Sequence, residues 1–244
     1  MNPFFIIGAP RSGTTMLRDL FKQLDSLYSP EETHFFRWAA PFRGNEYNAV
    51  YENNKVLQMH RELDGVTDAE FWSVYSESNT RAEITDKYCE LVSHKKGALS
   101  WFEKSPQNVY GLPLISRQMK HTQIIHIMRH PYDVVKSLLV GKIIKVDDVV
   151  GAANYWNDAI DIVEVCKPYL SSRLYTLKYE ELVKYPIKEL FGLERFLNID
   201  MSKIEVAHVK SRDVDYYSIL TREEMDVVNS ICGLNMSLYG YEIL

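Results

Sequence analysis

Apolar positions along the chain fall into two alternating rhythms. Phe4 to Ile7 is an unbroken apolar run closed by Gly8, the pattern of a strand buried on both faces. From Met16 to Leu24 the apolar residues are Met16, Leu17, Leu20, Phe21 and Leu24, which is helical spacing. The chain therefore opens strand, loop, helix. Residues 45–96 are polar and aromatic, and three stretches in them predict helices: NAVYENNKVLQMHREL, DAEFWSVYSE and NTRAEITDKYCELVSHKKG, the last stopped by Gly97. ALSWFEKSP predicts a strand ended by Pro106. TQIIHIMRHP carries the strongest strand signal, and Pro131 suits the first turn of the helix PYDVVKSLLVG. Ala153, Trp156, Ile160 and Val163 keep helical spacing between Val149 and Cys166. RLYTLKY is a further strand, and EELVKYP, IKELFGLERFLNI and REEMDVVNSICGL are later helical stretches. Strands alternating with helices predict an α/β fold with three layers, a mostly parallel central sheet flanked by helices on both faces. No repeat, low-complexity tract or linker interrupts the pattern, so residues 1–244 are expected to form one domain.

Composition narrows the partners. A net charge of −5 gives no reason to expect a nucleic-acid binder, although local basic clusters can still hold a small anion. The three cysteines, Cys89, Cys166 and Cys232, lie far apart without a CxxC pair, so reduced thiols are expected. PFFIIGAP is too short for a signal-peptide core or a membrane span, and no later apolar run reaches that length. These readings lead to the expectation of a soluble, cytoplasmic protein without a membrane partner.

The candidate chemistry starts at GAPRSGTT, residues 8–15, between the first strand and the first helix. Such a loop points backbone N–H groups into one concave space, and the helix N-terminus adds partial positive charge, so phosphate oxygens are natural occupants. Ser12, Thr14 and Thr15 add hydroxyls, and Gly8 and Gly13 have the spacing of a phosphate loop. The lysine that a nucleotide triphosphatase carries after the second glycine is missing; Thr14 stands there, and Arg11 supplies a planar fork of donors instead. The residues alone leave open a plain helix-capping turn. His126 and His130 are four apart, but strand geometry does not bring them together, and neither an HExxH motif nor a GxSxG elbow occurs.

FIIGAPRSGTTMLRDLF resembles the 5′-phosphosulfate loop of the sulfotransferase family, whose donor is 3′-phosphoadenosine 5′-phosphosulfate (PAPS). IIHIMRHPYDVVKSLL resembles its second signature, a strand ending in Arg with Ser eight positions on. SPEETHFF and WFEKSP extend the similarity to the tyrosylprotein and glycan branches, and LYTLKYEELV adds a weaker match. The resemblance implies a P-loop-like fold and sulfuryl transfer to an acceptor hydroxyl without a metal. It implies that Arg11, Ser12, Gly13, Thr14 and Thr15 hold the phosphosulfate, that Arg129 and Ser137 contact the 3′-phosphate, and that Tyr179 contacts the nucleotide. By the same resemblance Glu32 is the general base, and Lys104, with Arg11 beside it, supplies charge at the transferring group.

Read without the family, Glu31 and Glu32 suit a solvated turn, and Lys104 suits a strand end reaching solvent. If the segment is extended, the two glutamates point to opposite sides and only one faces the site. A base there is expected to have a pKa raised by partial burial. His34 is the competing base or a supporting residue, and Glu103 is a candidate to orient Lys104 through an ion pair. Arg37, Arg43, Trp38, Phe42, Tyr47 and Tyr51 are candidates for the acceptor pocket, where the acceptor is a sugar, a small metabolite, a lipid or a tyrosine. Lys142 stands near the place of a second family arginine, and Lys210, Ser211 and Arg212 near that of a loop over the nucleotide. Two other readings remain: a magnesium-dependent P-loop kinase, and a non-catalytic nucleotide-binding protein of the same fold.

Overall fold

The computed structural model describes residues 1–141, 144–207, 209 and 220–244; Lys142, Lys210, Ser211 and Arg212 lie outside the described residues. In chain order the elements are β1 (Phe4–Ile7), α1 (Thr14–Phe21), β2 (Leu27–Tyr28), α2 (Asn45–Asn53), α3 (Lys55–Leu63), α4 (Asp68–Ser76), α5 (Arg81–Lys95) and β3 (Ser100–Lys104). A 3₁₀ turn over Pro106–Gly111 leads into α6 (Leu112–Gln118) and β4 (Gln123–Met128). Then follow α7 (Pro131–Val140), α8 (Val149–Leu170), β5 (Leu174–Lys178), α9 (Tyr179–Lys184), α10 (Pro186–Leu197) and α11 (Arg222–Leu238).

The five strands form one sheet in the order β2-β3-β1-β4-β5, and every pairing is parallel. β1 lies at its centre, and its side chains alternate between two cores as the strand period requires. Phe4 and Ile6 join Leu17, Phe21, Phe102, Ile125 and Leu193 on one face. Phe5 and Ile7 join Trp101, Ile124, Met128, Trp156 and Ile160 on the other. The two cores make the predicted three layers. Each fully buried Phe or Ile contributes roughly 1.5–3 kcal/mol relative to an exposed one.

β3 and β4 flank β1, so the chain crosses from one side of β1 to the other between them, which opens a crevice at the carboxyl ends of the strands. All five strands deliver a candidate residue there. β1 runs into Gly8–Thr15, β2 toward Glu31 and Glu32, β3 ends at Lys104, β4 precedes Arg129, and β5 precedes Tyr179.

The structure adds β2 and α6, which the pattern did not predict, and splits one predicted helix. NAVYENNKVLQMHREL is two helices, because Asn54 is extended at φ −78° and ψ 107°. Its side chain accepts hydrogen bonds from the Val56 and Leu57 N–H groups and so starts α3 instead of continuing α2. The break turns Asn54, Val56, Leu57 and His60 toward the crevice.

Candidate active site

The crevice is an open cavity of about 1180 Å³ between the phosphate-type loop and a wall from the segment after Glu31 and from α3. On the loop side, Gly13 has φ +94°, and a Cβ there would lie 2.4 Å from the Tyr179 ring. Glycine is therefore required both by the left-handed backbone and by the tyrosine packed on it. Gly13 precedes α1 without a side-chain cap, so the first N–H groups of the helix stay available to an anion. The Ser12 hydroxyl is fully buried and has no hydrogen-bond partner among the described residues. An orphaned donor inside a loop of this shape fits a phosphate or sulfate oxygen.

Arg11 takes a left-handed φ of 74° and extends into the cavity. Its Nε donates to Ser137 Oγ at 2.8 Å. Arg129 lies 4.4 Å over the Tyr179 ring, and its Nε donates to Asp133 Oδ2 at 3.1 Å. Ser137 is thus held by Arg11, and the Nε of Arg129 is engaged by Asp133. Asp133 was not picked out from the sequence, although the i, i+4 spacing from Arg129 was readable there. Thr14, Thr15 and Tyr179 line the same cavity.

At the end of β3, in register with Ile6 of β1, Lys104 Nζ donates to Glu32 Oε1 at 2.5 Å, and His34 Nε2 stands 3.3 Å from Glu32 Oε2. Lys104 is almost wholly buried, with 3% of its side chain exposed. Glu31 turns the other way, 3.2 Å from Arg18 Nη1, while its N–H donates to Asp64 Oδ1. The two glutamates thus take different partners, but both line the cavity, so the expectation that only one faces the site does not hold.

The expected raised pKa of Glu32 is not. Burial pushes its carboxyl upward, but the hydrogen bond from His34 and the charge and hydrogen bond of Lys104 outweigh it, leaving a value of about 2. The expected Glu103–Lys104 ion pair is also absent from the geometry. Adjacent strand residues face opposite ways, and Glu103 instead accepts from Thr33, Ser105 and Asn108.

Of the pocket candidates, Arg37 and Trp38 line the cavity, with the guanidinium 4.4 Å over the indole. Tyr47 and Tyr51 are fully buried core residues, Phe42 packs on Tyr47, and Arg43 donates to the Ser76 and Ser78 carbonyls. Those four do not line the cavity. Residues missed from the sequence include His60, whose Nδ1 is 3.0 Å from the Glu32 carbonyl, and Tyr155 on α8. His60 reaches the site only because of the break at Asn54.

Residues 3–203 match the sequence profile of the sulfotransferase family, and the chain belongs to that family. Among curated proteins it is similar to protein-tyrosine sulfotransferase 2 of Gallus gallus, 23% identical over 209 residues, covering 84% of this chain and 53% of that protein. The chain spans about half the length of the curated relatives it matches. Among solved structures it resembles the sulfotransferase domain of the Synechococcus PCC 7002 olefin synthase, with a TM-score of 0.70 at 19% identity over 100% of this chain and 96% of that one. A mouse sulfotransferase complexed with PAP aligns with a TM-score of 0.53 at 14% identity, over 96% of this chain and 84% of that one. These likenesses establish the fold as the P-loop-like α/β fold of sulfotransferases.

Proposed function

We propose that the chain is a PAPS-dependent sulfotransferase that forms a sulfate ester on an acceptor hydroxyl. The observation that carries this reading is the Glu32–Lys104 pair, a carboxylate and a cation 2.5 Å apart at the end of the strand beside the one that runs into Gly8–Thr15, with Glu32 lining the same cavity as that loop. PAPS, when bound, supplies the sulfuryl group and leaves as adenosine 3′,5′-bisphosphate. Gly13, the N–H groups of α1 and the hydroxyls of Ser12, Thr14 and Thr15 hold the 5′-phosphosulfate. Arg129 and Tyr179 hold the nucleotide, with Arg129 directed to the 3′-phosphate. The Ser137 hydroxyl accepts from Arg11 and keeps its own proton to donate to that phosphate.

Glu32 takes the acceptor's hydroxyl proton while the acceptor oxygen bonds to sulfur and the sulfur–oxygen bond to the 5′-phosphate breaks. A carboxylate held at about 2 is a feeble base, so the pair must open first. Lys104 has two anionic partners to choose between, Glu32 and the donor. Moving to the donor, it steadies the departing charge and releases the carboxylate. Burial then raises the basicity of Glu32 at the moment it is needed. Arg11 adds charge on the loop side, and no protein-bound metal is called on for these steps.

The acceptor enters beside Trp38, Val56 and Leu57, an apolar wall suited to a ring or a hydrocarbon next to the reacting hydroxyl. The names of the curated relatives favour a tyrosyl hydroxyl; a sugar, a lipid or a small metabolite fits the same chemistry.

Thermal unfolding with added nucleotide tests the reading, because a ligand of the native state stabilises it by about 2.7 kcal/mol at a hundred times its Kd. Adenosine 3′,5′-bisphosphate is expected to stabilise the protein in the presence of a chelator. Stabilisation by ATP with magnesium and none by the bisphosphate would overturn it.

A further inference from the structure

Glu103 is a carboxylate with no exposed surface, and no lysine, arginine or histidine pairs with it among the described residues. A buried charge without a counter-ion is costly unless hydrogen bonds replace the water it lost. Here five donors do so. Oε1 accepts from Thr33 N–H at 3.2 Å, from the Thr33 hydroxyl at 2.8 Å and from the Ser105 hydroxyl at 2.5 Å. Oε2 accepts from Ser105 N–H at 3.1 Å and from Asn108 Nδ2 at 2.8 Å.

These donors come from two places. Thr33 adjoins Glu32, while Ser105 adjoins Lys104 and Asn108 follows in the next turn. Two consecutive residues of the loop therefore meet two consecutive residues of β3: Glu32 pairs with Lys104, and Thr33 pairs with Glu103. The relays extend the link. Ser105 Oγ accepts from His34 N–H at 3.3 Å, and Asn108 Oδ1 accepts from Phe36 N–H at 3.3 Å. Gly111 lets the loop press close, since a Cβ there would lie 2.0 Å from the Phe36 carbonyl oxygen. Every residue from Thr33 to Phe36 except Phe35 is thus tied to Glu103 directly or through one side chain.

We propose that Glu103 is a positioning residue, a buried carboxylate that locks the loop carrying Glu32 and His34 to the strand end carrying Lys104 and so sets the separation within the reactive pair. The proposal rests on the reading of Glu32 and Lys104 given above. All five partners donate in this arrangement and each oxygen receives at least one N–H, so an amide in its place turns its N–H₂ toward another N–H donor. Glu103 acts through Glu32 and touches neither donor nor acceptor.

The test uses Glu103→Gln and, should that variant fail to fold, Thr33→Val, which removes one hydroxyl at nearly constant volume. The readouts are the titration midpoint of the Glu32 carboxyl by carbon-13 NMR and the affinity for adenosine 3′,5′-bisphosphate. Loosening the lock weakens the contacts of Glu32 with Lys104 and His34, so its midpoint is expected to rise by about one unit or more in each folded variant. The bisphosphate affinity is expected to stay within about threefold of the parent, because the phosphate loop is untouched. An unchanged Glu32 midpoint in the folded variants overturns the proposal, and so does a collapse of bisphosphate binding together with the shift. Neither readout needs turnover, so a failure here is distinct from a failure of the sulfuryl-transfer reading, which Glu32→Gln tests by loss of transfer.

Discussion

Lys104, at the end of a central strand, donates to Glu32 across 2.5 Å although 72 positions separate them in the chain. The pair places a cation that can steady a leaving oxyanion next to a carboxylate that can accept a proton. In the resting protein each neutralises the other, so the proposed reaction calls for a partner exchange during turnover.

Lys104→Met keeps an unbranched side chain one atom shorter and removes its charge. Transfer is expected to slow by about 10²–10³-fold, the usual cost of losing a cation at developing charge. The pH profile is expected to change as well. With the Glu32 carboxyl lowered to about 2, the acid side of kcat/KM is expected to be flat across the mildly acidic range in the parent. Without Lys104 the carboxyl rises, so the variant loses activity with falling pH before the parent does. A variant whose acid side matches the parent would show that Lys104 does not hold Glu32.

Ser137→Ala separates two roles of one hydroxyl. It removes the acceptor that Arg11 Nε uses at 2.8 Å, so binding of adenosine 5′-phosphate is expected to weaken, by about threefold. Binding of the 3′,5′-bisphosphate is expected to weaken more, by about tenfold, because the bond to the 3′-phosphate is lost too. Equal losses by calorimetry would leave Ser137 only the task of anchoring Arg11.

Much of this site was legible because strands and their exits carry strong local signals. The apolar runs before Gly8 and Arg129 are read by burial alone, and the turn chemistry after them places the loop and the arginine at strand ends. The alternation of Glu103 and Lys104 along a strand is equally readable and sets them on opposite faces. What hid was decided by contacts across the fold. The two residues of β2 are too few to show a period. Asn54 breaks a helix that its neighbours favour, because its side chain caps the next one. Tyr47 and Tyr51 resemble pocket aromatics until their hydroxyls are seen donating to the Phe35 and Thr33 carbonyls inside the core.

His126 gives a stability prediction independent of the site. It is fully buried in β4, neither ring nitrogen has a hydrogen-bond partner among the described residues, and burial pushes its pKa down to about 4. The unfolded chain protonates this group near pH 6.5, so the folded state loses stability as pH falls from there toward 4. The loss amounts to roughly 3 kcal/mol at 1.36 kcal/mol per unit. His126→Leu is expected to flatten that slope in urea denaturation between pH 6.5 and 4.5. The same slope in both proteins would mean that His126 does not carry it.

The most direct test follows labelled sulfate. The protein is incubated with sulfur-35 PAPS and a set of acceptors comprising a tyrosine peptide, a simple phenol, a glycan and an alkyl alcohol. One labelled sulfate ester is expected for each adenosine 3′,5′-bisphosphate released, with a rate lowered by about 10²–10⁴-fold in Glu32→Gln. Transfer at the full parental rate in Glu32→Gln would contradict that expectation.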